Sequence, residues 1–167
     1  MIHLSLIVAT SKNGVIGNEM DIPWRTKGEQ LIFKALTFSQ WCIVGRKTYE
    51  TVKHLKDRKF AIVSRTMEPK TSVDEEPCVF SSIEDAIAYI GWVSETKSAF
   101  VIGGTEIYRQ TIGLADTVHI SVIDTQCDGD AILPNEFQTE FREFNLIYTQ
   151  EFVSDINYTY AIYKRHT

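Results

Sequence analysis

Apolar positions in this chain come in short blocks divided by polar turns, and the spacing inside the blocks alternates between two periods. Residues 4–10 (LSLIVAT) form a nearly continuous apolar, β-branched run, which predicts a strand buried on both faces. Blocks of the same kind follow at 41–44 (WCIV), 60–63 (FAIV), 78–80 (CVF) and 99–102 (AFVI). Between them the period lengthens. Glu29, Phe33 and Leu36 fall on one stripe of a predicted helix, Ile83, Ile87 and Ile90 on a second, and TEIYRQTIG reads as a third with Gly113 near its C-cap. A short helix is predicted to open at Gly45-Arg46-Lys47-Thr48. Strand and helix alternating in this way predict an α/β fold with a mainly parallel sheet and right-handed crossovers. The last third differs: 117–123 (TVHISVI), 144–148 and 158–163 (YTYAIY) read as strands with no helix between them, which predicts an antiparallel edge on the parallel sheet.

Turn and cap signals punctuate these blocks. Ser11-Lys12-Asn13-Gly14 has turn chemistry, residues 17–24 have neither period and read as a loop, and 67–76 is polar and turn-like. Two T/S-x-x-E patterns predict capping boxes, Thr26 with Glu29 and Ser81 with Glu84. A capping residue can also face a cleft, so the cap reading of Glu29 and a chemical one do not exclude each other.

Composition narrows the class. A chain of 167 residues with 44% hydrophobic content predicts one domain over 1–167 with one sizeable core. No apolar run approaches the roughly 18 residues of a membrane span, and the N-terminal block lacks the basic start and cleavage pattern of a leader. Cys42, Cys78 and Cys127 are far apart and the histidines show no paired spacing, so a reducing cytoplasm and no metal are expected. The net charge of −5 gives no general attraction to nucleic acid or an anionic membrane.

Candidate chemistry gathers at strand ends, where ligands of parallel sheets bind. The block at 41–44 leads into Gly45-Arg46-Lys47-Thr48, that at 60–63 into Ser64-Arg65-Thr66, and that at 99–102 into Gly103-Gly104-Thr105. Arg46, Lys47 and Arg65 thus put three cations beyond neighbouring strands of an acidic chain, an arrangement suited to a phosphate dianion. Glu29 is an acid on an apolar stripe, where its charged form is costly and its pKa should rise. The chain has no G-x-x-x-x-G-K-[ST], G-x-G-x-x-G or G-x-S-x-G.

Several short motifs, in their order and spacing, make the chain similar to the dihydrofolate reductases over roughly residues 4–163. They are Val15-Ile16-Gly17, Pro23-Trp24, Glu29 with Phe33, Gly45-Arg46-Lys47-Thr48-Tyr49-Glu50, Arg58-Lys59, Val63-Ser64-Arg65, Val101-Ile102-Gly103-Gly104 with Ile107-Tyr108, and Gly129-Asp130. The resemblance implies an eight-stranded sheet with flanking helices, and reduction of 7,8-dihydrofolate to tetrahydrofolate by NADPH. It implies that Glu29 is the active-site carboxylate and that Trp24 stands by a loop closing over the nicotinamide. Ile7, Phe33 and Ser121 would contact substrate, and Arg58 would pair with the α-carboxylate of its glutamate tail. Arg46, Lys47, Ser64 and Arg65 would hold the 2′-phosphate and adenosine end of the cofactor. Ala9, Ile16, Gly45, Thr48, Ile102, Gly103, Gly104, Thr105, Ile107 and Tyr108 would line the rest of its site, with a cis peptide at Gly103-Gly104. A monomer that also binds antifolate inhibitors is expected.

Three positions depart from the pattern of bacterial housekeeping members. Glu29 stands for the usual Asp, Gln30 for an apolar residue, and Thr105 for a third glycine. The first two, with the run GEQL, are similar to the trimethoprim-insensitive enzymes carried on mobile elements. Two other readings stay open at this level: a reductase of the same fold acting on another pterin-like or pyrimidine substrate, such as those of riboflavin synthesis, and a non-catalytic nucleotide-binding module.

Overall fold

The computed structural model describes residues 2–17, 26, 28–71 and 77–167. Strands β1 (His3–Ser11), β2 (Val15–Gly17), β3 (Trp41–Gly45), β4 (Lys59–Val63), β5 (Cys78–Phe80), β6 (Ser98–Val101), β7 (Thr117–Ile123), β8 (Ala131–Ile132), β9 (Phe144–Phe152) and β10 (Tyr158–Arg165) are joined by α1 (Glu29–Thr37), α2 (Arg46–Val52), α3 (Ile83–Val93), α4 (Thr105–Thr111) and α5 (Glu136–Glu140). Eight strands form one sheet in the order β5-β4-β3-β6-β1-β7-β10-β9. All neighbours from β5 to β7 pair in parallel, and β10 runs antiparallel to both β7 and β9. The mainly parallel sheet and its antiparallel C-terminal edge are therefore as the pattern predicts.

Each central strand buries both faces, which is why its sequence shows no polar alternation. Leu4, Leu6, Val8, Ile43, Val101 and Val118 point to one side, where Ile83, Ala86 and Ile90 of α3 and Ile107, Tyr108 and Ile112 at α4 cover them. Cys42, Val44, Phe60, Ile62 and Val79 point to the other, packed by Phe33 of α1 and by Tyr49 and Val52 of α2.

Three features escape the periodicity. Residues 15–17 and 131–132 pair as a small separate sheet, too short to show a period. A short helix and a 3₁₀ turn (Phe141–Glu143) lie between β7 and β9, where none was predicted. Strand β9 runs on to Phe152 as a sheet edge, and its exposed residues carry no pattern of burial.

Both cap predictions need correction. Ser82, not Ser81, is the N-cap of α3: its Oγ accepts from the Asp85 N–H at 3.1 Å. The serine that caps is the one whose backbone is still extended when the helix begins (φ −147°, ψ 159°). Thr26 does not cap α1, which starts at Glu29 after Gly28. The Thr26 hydroxyl instead donates to the Ile156 carbonyl at 2.5 Å and accepts from the Ile156 N–H at 3.2 Å. A tertiary partner has taken the group that the local pattern assigned to the helix.

The cap correction is testable by urea denaturation. Ser82→Ala should lose about 1 kcal/mol, the usual worth of a serine cap, whereas Ser81→Ala should stay within about 0.5 kcal/mol of the parent. Equal losses at both positions would show that Ser82 does not cap alone.

Candidate active site

Parallel pairing brings the carboxyl ends of β1, β3, β4, β6 and β7 to one edge of the sheet, and a cleft of about 1210 Å³ opens there. That exceeds the roughly 300–1,000 Å³ typical of a pocket for one small ligand, so the cleft has room for two side by side.

At one end lies Glu29, the first residue of α1, with 7% of its surface exposed. No hydrogen bond or salt bridge to its carboxyl occurs among the described residues, and burial alone pushes its pKa above the ordinary value of 4.5. Around it stand Ile7 and Ala9 of β1, Ile32 and Phe33 of α1, and Ser121 of β7. The register explains the grouping: Ile7 pairs with His119 and Ala9 with Ser121, so these four side chains share one face of the sheet. Tyr108 closes the wall from α4. It is buried and donates its hydroxyl to the Ile7 carbonyl at 2.6 Å, and burial, reinforced by the charge of Glu29, raises its pKa.

At the other end the cleft turns basic. Arg46 and Lys47 extend from the first turn of α2 and Arg65 from the turn after β4, all three exposed and lining the cleft. The Ser64 hydroxyl shapes that turn, accepting from the N–H groups of Thr66 (3.2 Å) and Met67 (3.1 Å). Glu106 of α4 also lines this end, where it pairs with Arg109 and accepts from Gln110 at 3.2 Å. Arg109 foremost, and Arg65 more weakly, hold its carboxyl below the usual range.

Between the ends the backbone comes close. The Gly103–Gly104 peptide is cis, as the resemblance implied, and the Gly103 carbonyl accepts from the Gly45 N–H at 2.8 Å. A side chain on Gly104 would begin 3.0 Å from Thr48 Oγ1, and one on Gly45 3.2 Å from Ile107 Cγ1. A small separate wall comes from Ile16 and Gly17 of β2 and Asp130 to Ile132. Gly129 is needed there, since a Cβ would fall 2.3 Å from the Gly17 carbonyl oxygen. Thr105, in place of the third glycine, donates to the Ile132 carbonyl at 3.4 Å and ties α4 to that wall.

Eighteen of the twenty sequence-predicted residues thus line one cleft: Ile7, Ala9, Ile16, Glu29, Phe33, Gly45 to Thr48, Ser64, Arg65, Ile102 to Thr105, Ile107, Tyr108 and Ser121. Trp24 lies outside the described residues. Arg58 is not in the lining; its guanidinium braces the end of α1, donating to Thr37 Oγ1 (3.0 Å) and to the carbonyls of Lys56 (2.6 Å) and Lys34 (2.8 Å). Sequence reasoning missed His119 and Tyr160, which also line the cleft and share a 2.7 Å hydrogen bond. Burial, then the charge of His3, lowers the His119 pKa to about 4. A lone histidine in a strand gives no sequence signal of such a setting.

The sequence pattern of the family described as "Dihydrofolate reductase" matches residues 3–165. Among curated relatives, dihydrofolate reductase types 15 and 1 of Escherichia coli are each 48% identical over 97% of this chain and 98% of theirs. Type 6 of Proteus mirabilis is 43% identical over the same shares. A solved Enterococcus faecalis dihydrofolate reductase, complexed with NADP(H) and RAB-propyl, shares the fold at a TM-score of 0.84 and 22% identity, covering 99% of this chain and 97% of its own. A match over nearly the whole chain, joined to a cleft with a buried acid at one end and cations at the other, means that this protein belongs to the dihydrofolate reductase family.

Proposed function

We propose that this cleft reduces 7,8-dihydrofolate to 5,6,7,8-tetrahydrofolate with Glu29 as its acid and NADPH as the second ligand. The reaction is that of the family; the division of labour among residues is inferred. The observation that carries it is the polarity of the cleft, with one desolvated carboxyl at the apolar end and Arg46, Lys47 and Arg65 at the other.

The residues present fit a dinucleotide phosphate. Glycines at 45 and 104 leave no side chain to fill the middle of the groove, and the cations suit a 2′-phosphate. When bound, NADPH supplies the hydride. Ile7 and Phe33 hold the pterin, with the Ser121 hydroxyl beside it. Glu29 accepts hydrogen bonds from the pterin 2-amino group and N3 and helps protonate N5. A carboxyl whose pKa is raised by burial suits that task at neutral pH. Thr48 and the Gly103–Gly104 backbone hold the middle of the cofactor, while Ser64 and Arg65 with Arg46 and Lys47 hold its adenosine end. Three N–H groups of Arg58 are engaged, and the rest remain for the tail carboxylate of the substrate. Trp24 is assigned beside the nicotinamide on the resemblance alone.

Drug discrimination follows from the acid and its neighbour. Glu29 reaches one methylene further than aspartate, so a cationic diaminopyrimidine anchored on it shifts relative to the apolar walls. Gln30, exposed beside it in the cleft, packs an aromatic tail poorly. An amide left unpaired costs on the order of 1–3 kcal/mol. We therefore read this chain as insensitive to trimethoprim, with methotrexate less affected because its glutamate tail adds a contact to Arg58.

Three measurements test these roles. Loss of NADPH absorbance on adding dihydrofolate should fall about 10²–10⁴-fold in Glu29→Gln, the usual worth of a positioned proton-transfer group. Turnover within a few-fold of the parent would remove Glu29 from the chemistry. Arg65→Ala should raise KM for NADPH by about tenfold or more, as loss of a charge-assisted contact does, and leave NADH nearly untouched. An equal loss with both cofactors would take Arg65 away from the 2′-phosphate. The double variant Glu29→Asp/Gln30→Leu should bind trimethoprim more tightly than the parent, with a smaller change for methotrexate. Inhibition constants that do not fall for trimethoprim would place the discrimination elsewhere.

A further inference from the structure

The entry to α1 is held in an unusual way. Glu29 is the first residue of the helix, and the residue before it, Gly28, gives no side-chain cap. Gly28 is left-handed, with φ at +93°, a conformation that favours glycine. Space also demands glycine: a Cβ there would lie 2.7 Å from the Tyr158 hydroxyl oxygen and 3.9 Å from Cζ. The phenol oxygen of β10 therefore occupies the volume that a side chain at position 28 would take. Two residues earlier, Thr26 makes its reciprocal pair of hydrogen bonds to Ile156, two residues before Tyr158. The chain entering α1 is thus fastened twice to the β9–β10 hairpin.

Tyr158 is a firm support. It is 4% exposed, stacks on Phe152 with ring centroids 4.9 Å apart, and packs with Ile123, Ala9 and Ile32. The hairpin is tied in turn to β7 through the Asp124 N–H and the Asn157 carbonyl at 2.8 Å. Tyr158 does not line the cleft, so it has no direct contact to offer a ligand. Its ionisation nevertheless responds to Glu29: burial first, then the charge of Glu29, raises its pKa. Tyr108 is another tyrosine whose ionisation feels that carboxyl.

We propose that Tyr158 is a positioning residue for Glu29, its hydroxyl bearing on Gly28 and setting, with the Thr26–Ile156 pair, where the acid stands in the cleft. The inference rests on the role given to Glu29 above. Because no described side chain hydrogen-bonds that carboxyl, its place depends on the backbone at 28–29. An acid displaced by about 1 Å can lose on the order of 10²-fold in rate.

The test is a double-mutant cycle in the full-length enzyme, which isolates the coupling between two residues. Gly28→Ala should lower kcat by about tenfold or more and change KM for NADPH by less than about twofold, because the damage lies at the acid and not at the cofactor end. Tyr158→Phe removes the oxygen at 2.7 Å and leaves the ring. Adding it to Gly28→Ala should therefore recover part of the lost kcat, since the backbone strain of alanine is common to both backgrounds and cancels in the cycle. Additive losses would overturn the proposal. A second readout does not depend on Gly28→Ala folding or on Glu29 being the acid. In protein carrying ¹³C-carboxyl glutamate, the Glu29 resonance, assigned by its loss in Glu29→Gln, should titrate about half a pH unit or more higher in Tyr158→Phe, because a nearby polar group has been removed. An unmoved Glu29 titration would also overturn it. If Glu29→Gln stays active while the titration still moves, the catalytic role of Glu29 fails and the positioning by Tyr158 stands.

Discussion

Parallel pairing of β1 with β6 and β7, and of β3 with β4 and β6, is the constraint from which the site follows. It aligns five strand ends at one edge of the sheet, so groups more than a hundred residues apart in sequence, such as Ala9 and Ser121, become neighbours. It also decides which residues share a face. A shift of one residue between β1 and β7 would send Ile7 and Ala9 into the opposite core and replace them in the cleft with Leu6 and Val8. Both faces are buried under helices, so such a slip would cost the packing on each side, and the register is held firmly.

The cleft places two opposite electrostatic regimes in one volume. Near Glu29 the walls are largely apolar and no partner for the carboxyl occurs among the described residues, so burial raises its pKa and favours the protonated form. Near Arg46, Lys47 and Arg65 the side chains are exposed and charged. On the roles proposed above, the two ends would serve different parts of one reaction, a proton held out of water and a phosphate attracted from it. Glu106 moderates the basic end, since its carboxylate is already satisfied by Arg109 and Gln110 and competes weakly for Arg65.

Much of this arrangement is legible from sequence because it is local. The central strands announce themselves as apolar blocks, and the basic turns stand directly at their ends. What failed to show has a common cause. Thr26 and Ser81 fit capping boxes, yet Thr26 is taken by Ile156 across the fold and the α3 helix begins one residue later than the pattern says. The pairing of β2 with β8 joins a three-residue and a two-residue segment, too short for either to carry a period. Arg58 is named by the resemblance as a substrate contact, but the structure shows how it is fixed, through Thr37, Lys34 and Lys56.

By itself, then, the sequence determined the alternation of strands and helices, the acid on α1, the cations beyond β3 and β4, and the family to which they belong. The first three depend on spacing within a few residues, where periodicity and turn chemistry act; the family rests on the resemblance of short motifs in order along nearly the whole chain. Tertiary structure decided that His119 and Tyr160 join the cleft, that Tyr158 fills the place of a side chain at Gly28, and that Glu29 has no partner among the described residues. These depend on which distant groups the sheet brings together and which it keeps from water, and desolvation is a property of the whole surrounding volume and not of any stretch of chain.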